Sequence, residues 1–152
     1  YNCLLWKITY LIILKAKLTA FLDELNFEIP SSDIIIQKDN VYYLPPLAGK
    51  LKGLRAMRTG TLLGELKKNR FEPSQAFAMT LKDGQYSSQV NSKLSDDAVI
   101  RYLKGETIEV DESCVTGNSS IKLIMVDGYP LGWGKYNNGQ VKNKYLPGWR
   151  WM

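Results

Sequence analysis

The sequence predicts an α+β protein in which a small helix-plus-strands leader precedes a partly closed, mixed β-barrel with short helices. Three observations lead to this fold class: one long segment near the start has helical periodicity, the second half is rich in short strand patterns, and glycine or proline separates most of these segments. With 152 residues, the chain can bury one good core or two small ones.

The leader begins with a helix. Apolar residues recur at helical spacing over residues 4–25, and Asn26 and Pro30 are typical of the residues that end a helix. Residues 33–46, DIIIQKDNVYYLPP, then predict a strand, an Asp-Asn turn and a second strand.

The leader is expected to end in the region that follows. Residues 53–66, GLRAMRTGTLLGEL, mix basic and apolar residues between glycines and predict strand and turn. Because Pro45-Pro46 interrupts the strand pattern and glycines follow, we predict a connecting domain over residues 1–63 and a β-rich domain over residues 64–152.

Two short helices are expected in the β-rich domain. The first is predicted to start near Phe71, with Pro73 in its first turn, where a helix tolerates proline. The second is predicted to have Ser95 as its N-cap and to end at Gly105. Its expected apolar face consists of Val99, Ile100 and Leu103.

The strands of the β-rich domain are signalled by their turns. Residues 107–110 form one predicted strand, and residues 119–135 predict a hairpin about Asp127-Gly128. Residues 139–151, GQVKNKYLPGWRW, predict a further hairpin that turns at Pro147-Gly148. In its extended first part, Lys142 and Lys144 are expected on one face, with Asn143 and Tyr145 on the other. No amphipathic helix follows Gly132-Trp133-Gly134, so these glycines indicate a strand rather than a dinucleotide-binding loop. Trp133 is at least as well suited to core packing as to stacking on a ligand.

Catalytic chemistry is not visible in the sequence. Histidine is absent, and the two cysteines, Cys3 and Cys114, are too few and too far apart for a zinc site. There is no phosphate-binding Gly-Lys-Ser/Thr loop and no nucleophile elbow. The carboxylate pairs at 96–97 and 111–112 fit structural roles better than acid–base roles. We therefore predict no catalytic residue, no metal and no membrane span, since the apolar run over residues 8–14 is too short to cross a bilayer.

Positive charge is concentrated in two segments. Residues 48–72 carry seven cations against two acids, and residues 128–152 carry four cations and no acid. Together the two segments have a net charge of +9, whereas the chain as a whole has +5. A field distributed in this way predicts an extended polyanion as the partner.

Aromatic residues accompany the cations of the last segment. Flat rings can stack on unpaired bases while cations neutralise phosphates. Trp149 and Trp151 flank Arg150, so in an extended strand they would share one face and Arg150 would take the other. The pattern leaves open whether these two rings fill the core of a small barrel or lie at a nucleic-acid surface.

Long segments of the sequence resemble a known family. Residues 59–81, TGTLLGELKKNRFEPSQAFAMTL, and 128–151, GYPLGWGKYNNGQVKNKYLPGWRW, are similar to the C-terminal region of RsmF-like members of the Nol/Nop/Sun family, the bacterial RNA cytosine-5 methyltransferases. Residues 33–46 resemble the strand pair of that family's connecting domain. The segment YLKGETI, residues 102–108, resembles a helix-to-strand junction of its PUA-like domain.

The resemblance implies a PUA-like barrel that binds ribosomal RNA in the cytoplasm, beside a methyltransferase domain of the parent chain. Neither Cys3 nor Cys114 has the family's catalytic context, and no S-adenosylmethionine loop is present in this sequence. The cofactor is therefore implied only for the catalytic domain, with none bound by this chain. The candidate RNA-binding residues are Arg55, Arg58, Lys67, Lys68, Asn69, Arg70, Lys135, Lys142, Asn143, Lys144, Tyr145 and Arg150.

Two other functions compete with a non-catalytic RNA-binding region that positions RNA for methylation. A stand-alone interaction module would dock an acidic protein on the same basic face. A complete small enzyme would turn over S-adenosylmethionine and RNA by itself. Steep salt dependence with RNA, together with indifference to acidic polypeptide, favours the RNA-binding hypothesis over the interaction module.

Overall fold

The chain folds into two compact units. The computed structural model describes residues 2–46, 60–68 and 70–152, with side chains in the first helix described from Ile12 onwards. The first unit consists of residues 1–23 and 27–77, and the second consists of residues 24–26 and 78–152.

The first unit opens with the predicted helix. Helix α1 runs over Asn2–Leu22 and buries Leu14, Leu18 and Phe21, which follow one another at intervals of four and three residues and therefore share one face. The helix ends earlier than expected. Leu25, which the periodicity assigned to its apolar face, instead forms an isolated antiparallel bridge with Tyr86 in the second unit.

Four antiparallel strands form the sheet of the first unit, in the order β1-β2-β3-β4. They are β1 (Ile34–Gln37), β2 (Asn40–Tyr43), β3 (Thr61–Lys67) and β4 (Arg70–Pro73). The predicted strand pair is confirmed, but its turn is Lys38-Asp39 rather than Asp39-Asn40, because Asn40 already pairs with Gln37. Lys38 takes the positive φ of 56° that this tight turn requires.

The expected helix near Phe71 begins later than the sequence suggested. Phe71 is a buried residue of β4, and its ring lies 4.8 Å from the ring of Phe21. Helix α2 covers Gln75–Thr80, and Ser74 caps it by accepting a hydrogen bond from the Phe77 amide at 3.0 Å. Pro73 therefore ends a strand and does not open a helix, because the strand pairing of residues 70–73 prevails over the helix-start signal.

A mixed five-stranded sheet forms the centre of the second unit, in the order β5-β7-β8-β9-β6. The strands are β5 (Gln89–Ser92), β6 (Ile108–Glu109), β7 (Ile121–Val126), β8 (Tyr129–Asn137) and β9 (Gln140–Asn143). Helix α3 (Asp97–Leu103) lies between β5 and β6 in the chain. Strands β5 and β7 are parallel, and the other pairs are antiparallel. The predicted α+β class with mixed strands is confirmed.

Two-residue turns set the register of strands β7, β8 and β9. Asp127-Gly128 joins β7 to β8 with φ values of 48° and 82°, and Asn138-Gly139 joins β8 to β9 with φ values of 46° and 81°. Two consecutive positive φ angles are the signature of the type I′ turn, whose twist matches that of the flanking strands. The hairpin expected about Asp127-Gly128 is confirmed. The one expected within residues 139–151 is wrong, because β9 is followed by a 3-10 turn over Pro147–Trp149 and not by a second strand.

The sheet of the second unit has apolar residues on both faces. One face belongs to a core of Val90, Tyr102, Ile108, Ile124, Val141 and Tyr145. On the other side, Trp133 is 1% exposed and lies edge-to-face against Tyr86, with ring centroids 5.1 Å apart. Trp133 is therefore a core residue, and the adjoining glycines belong to strand β8.

Helix α3 departs from its predicted details at both the cap and the apolar face. Asp96 rather than Ser95 is the N-cap residue, and the carboxylate of Asp96 accepts the Lys93 amide at 2.8 Å. Tyr102 replaces Ile100 on the buried face, since Ile100 is exposed. The predicted end is confirmed, because Gly105 takes a φ of 86° directly after the helix.

The chain passes from one unit to the other three times, after Asp23, after Asn26 and after Phe77. Residues 24–26 pair with residues 85–87 of the second unit through the Asn26 amide to Gln85 O (2.8 Å) and the Ser87 amide to Glu24 O (2.8 Å). The main division then falls after Phe77. The boundary expected between residues 63 and 64 lies within β3, which pairs with both β2 and β4.

Gly134 gives a test of the packing between β8 and β9. A Cβ atom placed there would lie 2.3 Å from Cγ1 of the buried, stiff Val141. We expect Gly134→Ala to lower the free energy of unfolding by about 1–3 kcal/mol, as overpacked cores do, measured by chemical denaturation. Gly148→Ala is the matched control, because nothing lies within 4 Å of that position. Equal stability of the two variants would contradict the close packing.

Candidate nucleic-acid interface

Three exposed lysines lie on one face of the β8–β9 hairpin. Lys135 and Lys142 are directly opposite each other in the register. The Lys144 amide donates to Trp133 O at 3.1 Å, which extends the ladder by one pair, and strand alternation places its side chain on the same face as Lys142. We call Lys135, Lys142 and Lys144 the lysine strip.

The lysine strip is electrostatically unfavourable on its own. Like charges directly opposite each other in a sheet are destabilising, because their Cβ atoms are only about 5 Å apart. Within the described residues, neither Lys135 nor Lys142 forms an ion pair. The nearest acid by register is Glu109, which lies opposite Gln140. An anion bound at the strip would relieve the repulsion between the two lysines.

Asn143 lies on the opposite side of the same strand and is engaged inside the domain. Its amide group donates to Tyr102 O at 2.7 Å and to Glu106 O at 3.0 Å, and its side-chain oxygen accepts the Tyr145 amide at 2.7 Å. These bonds connect β9 to the C-terminal end of α3. Asn143 therefore supports the lysine strip from behind and does not extend toward solvent.

Tyr145 is also an internal residue. Its ring is buried in the core, 5.5 Å from the ring of Tyr102. A buried ring cannot stack on a base without leaving the core. The alternation predicted for this segment is confirmed, with the lysines at 142 and 144 exposed, while Asn143 is half-buried and Tyr145 buried.

Arg150 holds the C-terminal segment against the end of α3. Its side chain covers Gly105, where an added Cβ would lie 2.5 Å from the arginine Cδ, and its Nη2 donates to Tyr145 O at 3.2 Å. This close approach is possible because residue 105 has no side chain. Arg150 therefore contributes to the fold as well as adding positive charge.

Trp149 and Trp151 lie at the surface. Their side chains are 50% and 56% exposed, which settles the alternative that the sequence left open between core and surface. Pro147–Trp149 forms a 3-10 turn instead of a strand, so the expected alternation about Arg150 does not apply. An exposed pair of tryptophans could not be recognised from the sequence, because the same residue type at position 133 is buried.

The second group of predicted residues lies on the β3–β4 hairpin of the first unit. Lys67 ends β3, Lys68 is in the turn, and Arg70 begins β4; we call these three residues the basic hairpin. They do not precede a helix, so no helix N-terminus adds to their field. Arg55, Arg58 and Asn69 lie outside the described residues.

Two cations of the basic hairpin are paired with carboxylates. Lys67 Nζ lies 2.9 Å from Glu72 and 3.4 Å from Glu65, and Arg70 Nε lies 2.7 Å from Glu72. The pKa of Lys67 is raised, chiefly by its hydrogen bond to Glu72. In the register Glu65 is opposite Glu72, and Lys67 is opposite Arg70. Each like-charged pair therefore adjoins a pair of the other sign.

One lysine that the sequence did not single out is buried. Lys122 Nζ donates to Thr116 O at 2.7 Å and to Gly117 O at 2.8 Å, and it lies 5.7 Å from the ring centre of Tyr136. Burial lowers the pKa of Lys122. Its position in β7 makes it a tie to the 116–117 loop, so it is not available to an external anion.

The carboxylate pairs have the structural roles expected of them. Asp97 lies in the first turn of α3, and Asp111 accepts the Ser113 amide at 2.8 Å, capping a 3-10 turn over Glu112–Cys114. Hydrogen bonds from Ser113 lower the pKa of Asp111. In the part of the chain that the structure describes, no three histidine, cysteine, aspartate or glutamate residues are grouped as metal ligands. None of the helices described there combines the length and apolarity needed to cross a bilayer.

Two family models match the chain. The first, for the RsmF rRNA methyltransferase first C-terminal domain, matches residues 20–81. The second, for the methyltransferase RsmF PUA domain, matches residues 89–151. The chain belongs to the RsmF rRNA methyltransferase family. A comparison with curated proteins finds no match.

Membership in the RsmF family confirms the resemblance found in the sequence. The match to the first C-terminal domain covers most of the sheet of the first unit, and the PUA match covers the whole mixed sheet of the second. Both are accessory domains of an RNA methyltransferase and not its catalytic domain. The lysine strip lies within the PUA domain, and the basic hairpin lies within the first C-terminal domain.

The role of Asn143 can be tested by its removal. We expect Asn143→Ala to lower the free energy of unfolding by about 1–3 kcal/mol, because the Tyr102 carbonyl and the Tyr145 amide each lose a hydrogen-bond partner. Asn118→Ala, in an exposed loop, is the control and should change stability by less than about 0.5 kcal/mol. Unchanged stability of Asn143→Ala in denaturant titrations would show that the side chain does not support the strip.

Proposed function

We propose that this chain is a non-catalytic RNA-binding region that positions structured ribosomal RNA for a cytosine-5 methyltransferase domain. The observation that carries the proposal is the lysine strip, a row of exposed cations on a rigid hairpin of the PUA domain. Phosphate contacts of this kind provide affinity and orientation without reading sequence. Double-stranded RNA is recognised mainly through its backbone and shape.

A comparison of the two hairpins supports this assignment. In β3–β4, the pair Lys67 and Arg70 adjoins the pair Glu65 and Glu72 along the strands. In β8–β9, the neighbours of the pair Lys135 and Lys142 are Asn137 with Gln140 on one side and Trp133 with Lys144 on the other. The β8–β9 hairpin thus lacks the internal acids that balance β3–β4. This imbalance favours an external polyanion as the partner of the strip.

The finer features of the proposal follow from the family. We place the parent enzyme among the bacterial Nol/Nop/Sun methyltransferases, acting in the cytoplasm during ribosomal RNA processing. S-adenosylmethionine would bind to the catalytic domain, and we assign no residue of this chain to it. The basic hairpin is proposed as a second RNA contact, with Lys68 as its most available cation. Arg55, Arg58 and Asn69, which lie outside the described residues, remain candidates from the sequence.

The lysine strip is tested by removing its charges. We expect the triple variant Lys135→Ala, Lys142→Ala, Lys144→Ala to bind ribosomal RNA fragments on the order of tenfold or more weakly at physiological salt. Its log–log salt slope should fall by roughly 1 for each lost phosphate contact. Fluorescence anisotropy over a salt series measures both quantities. The melting temperature should stay close to that of the unmodified chain, because these side chains are exposed.

A matched variant controls for net charge. Lys15→Ala, Lys17→Ala, Lys93→Ala removes the same charge from exposed positions that are not part of the strip, and it should leave the salt slope unchanged. Equal losses in the two triple variants would show that only total charge matters. An acidic polypeptide that binds the unmodified chain tightly, and is displaced by RNA only weakly, would favour the protein-interaction alternative.

In the basic hairpin, one substitution is expected to strengthen RNA binding, in contrast to the lysine-strip variant, which should weaken it. Glu72 pairs with both Lys67 and Arg70, so Glu72→Gln should release positive charge toward RNA. We expect tighter binding and a salt slope that is steeper by roughly 1–2. Glu28→Gln is the control, since it removes the same charge from an exposed position outside the basic hairpin. If both variants steepen the slope equally, the β3–β4 hairpin has no special role.

A further inference from the structure

Trp149 and Trp151 present two large rings to solvent at consecutive odd positions. Each is about half exposed, whereas Trp133 of the same domain is 1% exposed. Exposing two indoles gives up the free energy that their burial would provide. Leu146 and Met152 of the same segment are exposed as well, and such a grouping of exposed apolar side chains is typical of an interaction site.

The backbone that carries the two rings is fixed to the domain. The Trp149 amide donates to Leu146 O at 2.9 Å, and the Trp151 amide donates to Leu103 O at 3.0 Å. Between them, Arg150 covers Gly105 and bonds to Tyr145 O. The Trp149 ring is also oriented, since it lies edge-on to the Tyr145 ring at 6.3 Å. A fixed ring loses little entropy on stacking.

The rings lie close to the lysine strip in the chain, on the side of β9 where Tyr145 and the end of α3 lie. Tyr145, which contacts Trp149, directly follows Lys144 in the chain. Lys144 and Trp149 are five positions apart in the chain, so their Cα atoms are at most about 18 Å apart. Residues 128–152 contain no acid, and Arg150 lies between the rings. The charge of this neighbourhood suits a polyanion better than an acidic or purely apolar protein segment.

We propose that Trp149 and Trp151 form a stacking site for unpaired RNA bases beside the lysine strip. The inference rests on the proposed function, since it adds to RNA binding the kind of RNA that is preferred. A strand whose phosphates contact the strip would place its unpaired bases on the indoles. Base–aromatic stacking tolerates any sequence because every base has a π-face. The domain would therefore prefer RNA in which single-stranded nucleotides adjoin a duplex.

The test compares two RNA probes of equal length: a single-stranded oligonucleotide and a blunt hairpin with a minimal loop. We expect Trp149→Leu and Trp151→Leu each to weaken single-strand binding by about fivefold to a hundredfold, with hairpin binding nearly unchanged. Leucine retains apolar contact but has no π-face. Tyr129→Leu is the control, because Tyr129 is 76% exposed on the distant Asp127-Gly128 turn. Its binding to both probes should equal that of the unmodified chain.

The outcomes separate this inference from the proposed function. If the lysine-strip variant weakens both probes while the tryptophan variants bind like the unmodified chain, the stacking site is overturned and the RNA-binding function stands. If neither set of variants changes RNA binding, both proposals fail. Equal loss for the two probes in the tryptophan variants would also overturn stacking. Trp151→Phe, which keeps a ring, should recover part of the single-strand affinity and shows that a loss in Trp151→Leu is not due to misfolding.

Discussion

The hydrogen bonds of Asn143 are the contacts on which the candidate interface depends. One side chain joins β9 to the Tyr102 carbonyl at the end of α3 and to the Glu106 carbonyl just beyond it, and it also accepts the Tyr145 amide. Helix, strand and C-terminal segment therefore meet at one residue. Half-buried backbone groups at the end of a helix need partners. Because Asn143 satisfies them from the inner face of β9, its neighbours Lys142 and Lys144 are directed outward. The orientation of the lysine strip is thus a consequence of how α3 ends.

The turn between β8 and β9 determines which lysines of the strip lie opposite each other. A two-residue turn at Asn138-Gly139 allows one register for β8 and β9, and that register places Lys135 opposite Lys142. A slip of one residue would turn the lysines toward the core and Val141 toward solvent. The closely packed contact of Gly134 with Val141 opposes such a slip. Packing inside the sheet therefore fixes a register in which two like charges lie opposite each other.

Local sequence signals predicted much of the fold. The errors arose where pairing with residues distant in the chain overrode a local signal. The Asp127-Gly128 hairpin, α1 and the stop at Gly105 depend on nearby residues and were found correctly. Phe71 and Pro73 looked like a helix start, yet pairing with β3 made them a strand. Leu25 continued a helical pattern but pairs with Tyr86, sixty-one positions away. In the site, alternation predicted the lysine faces, whereas the buried or exposed state of each tryptophan depends on neighbours that no short window contains.

The count of cations in a segment is a poor measure of the charge that a partner meets. In residues 60–68 and 70–72, two of the three cations are engaged by Glu65 and Glu72. In the last segment, Arg150 is partly used to hold the chain over Gly105. The lysine strip differs because strand register places Lys135 opposite Lys142 in a hairpin, β8–β9, whose own residues include no acid. A basic segment therefore suits a polyanion best where acids of the same hairpin do not neutralise its cations. Whether they do is visible only once the strands are paired.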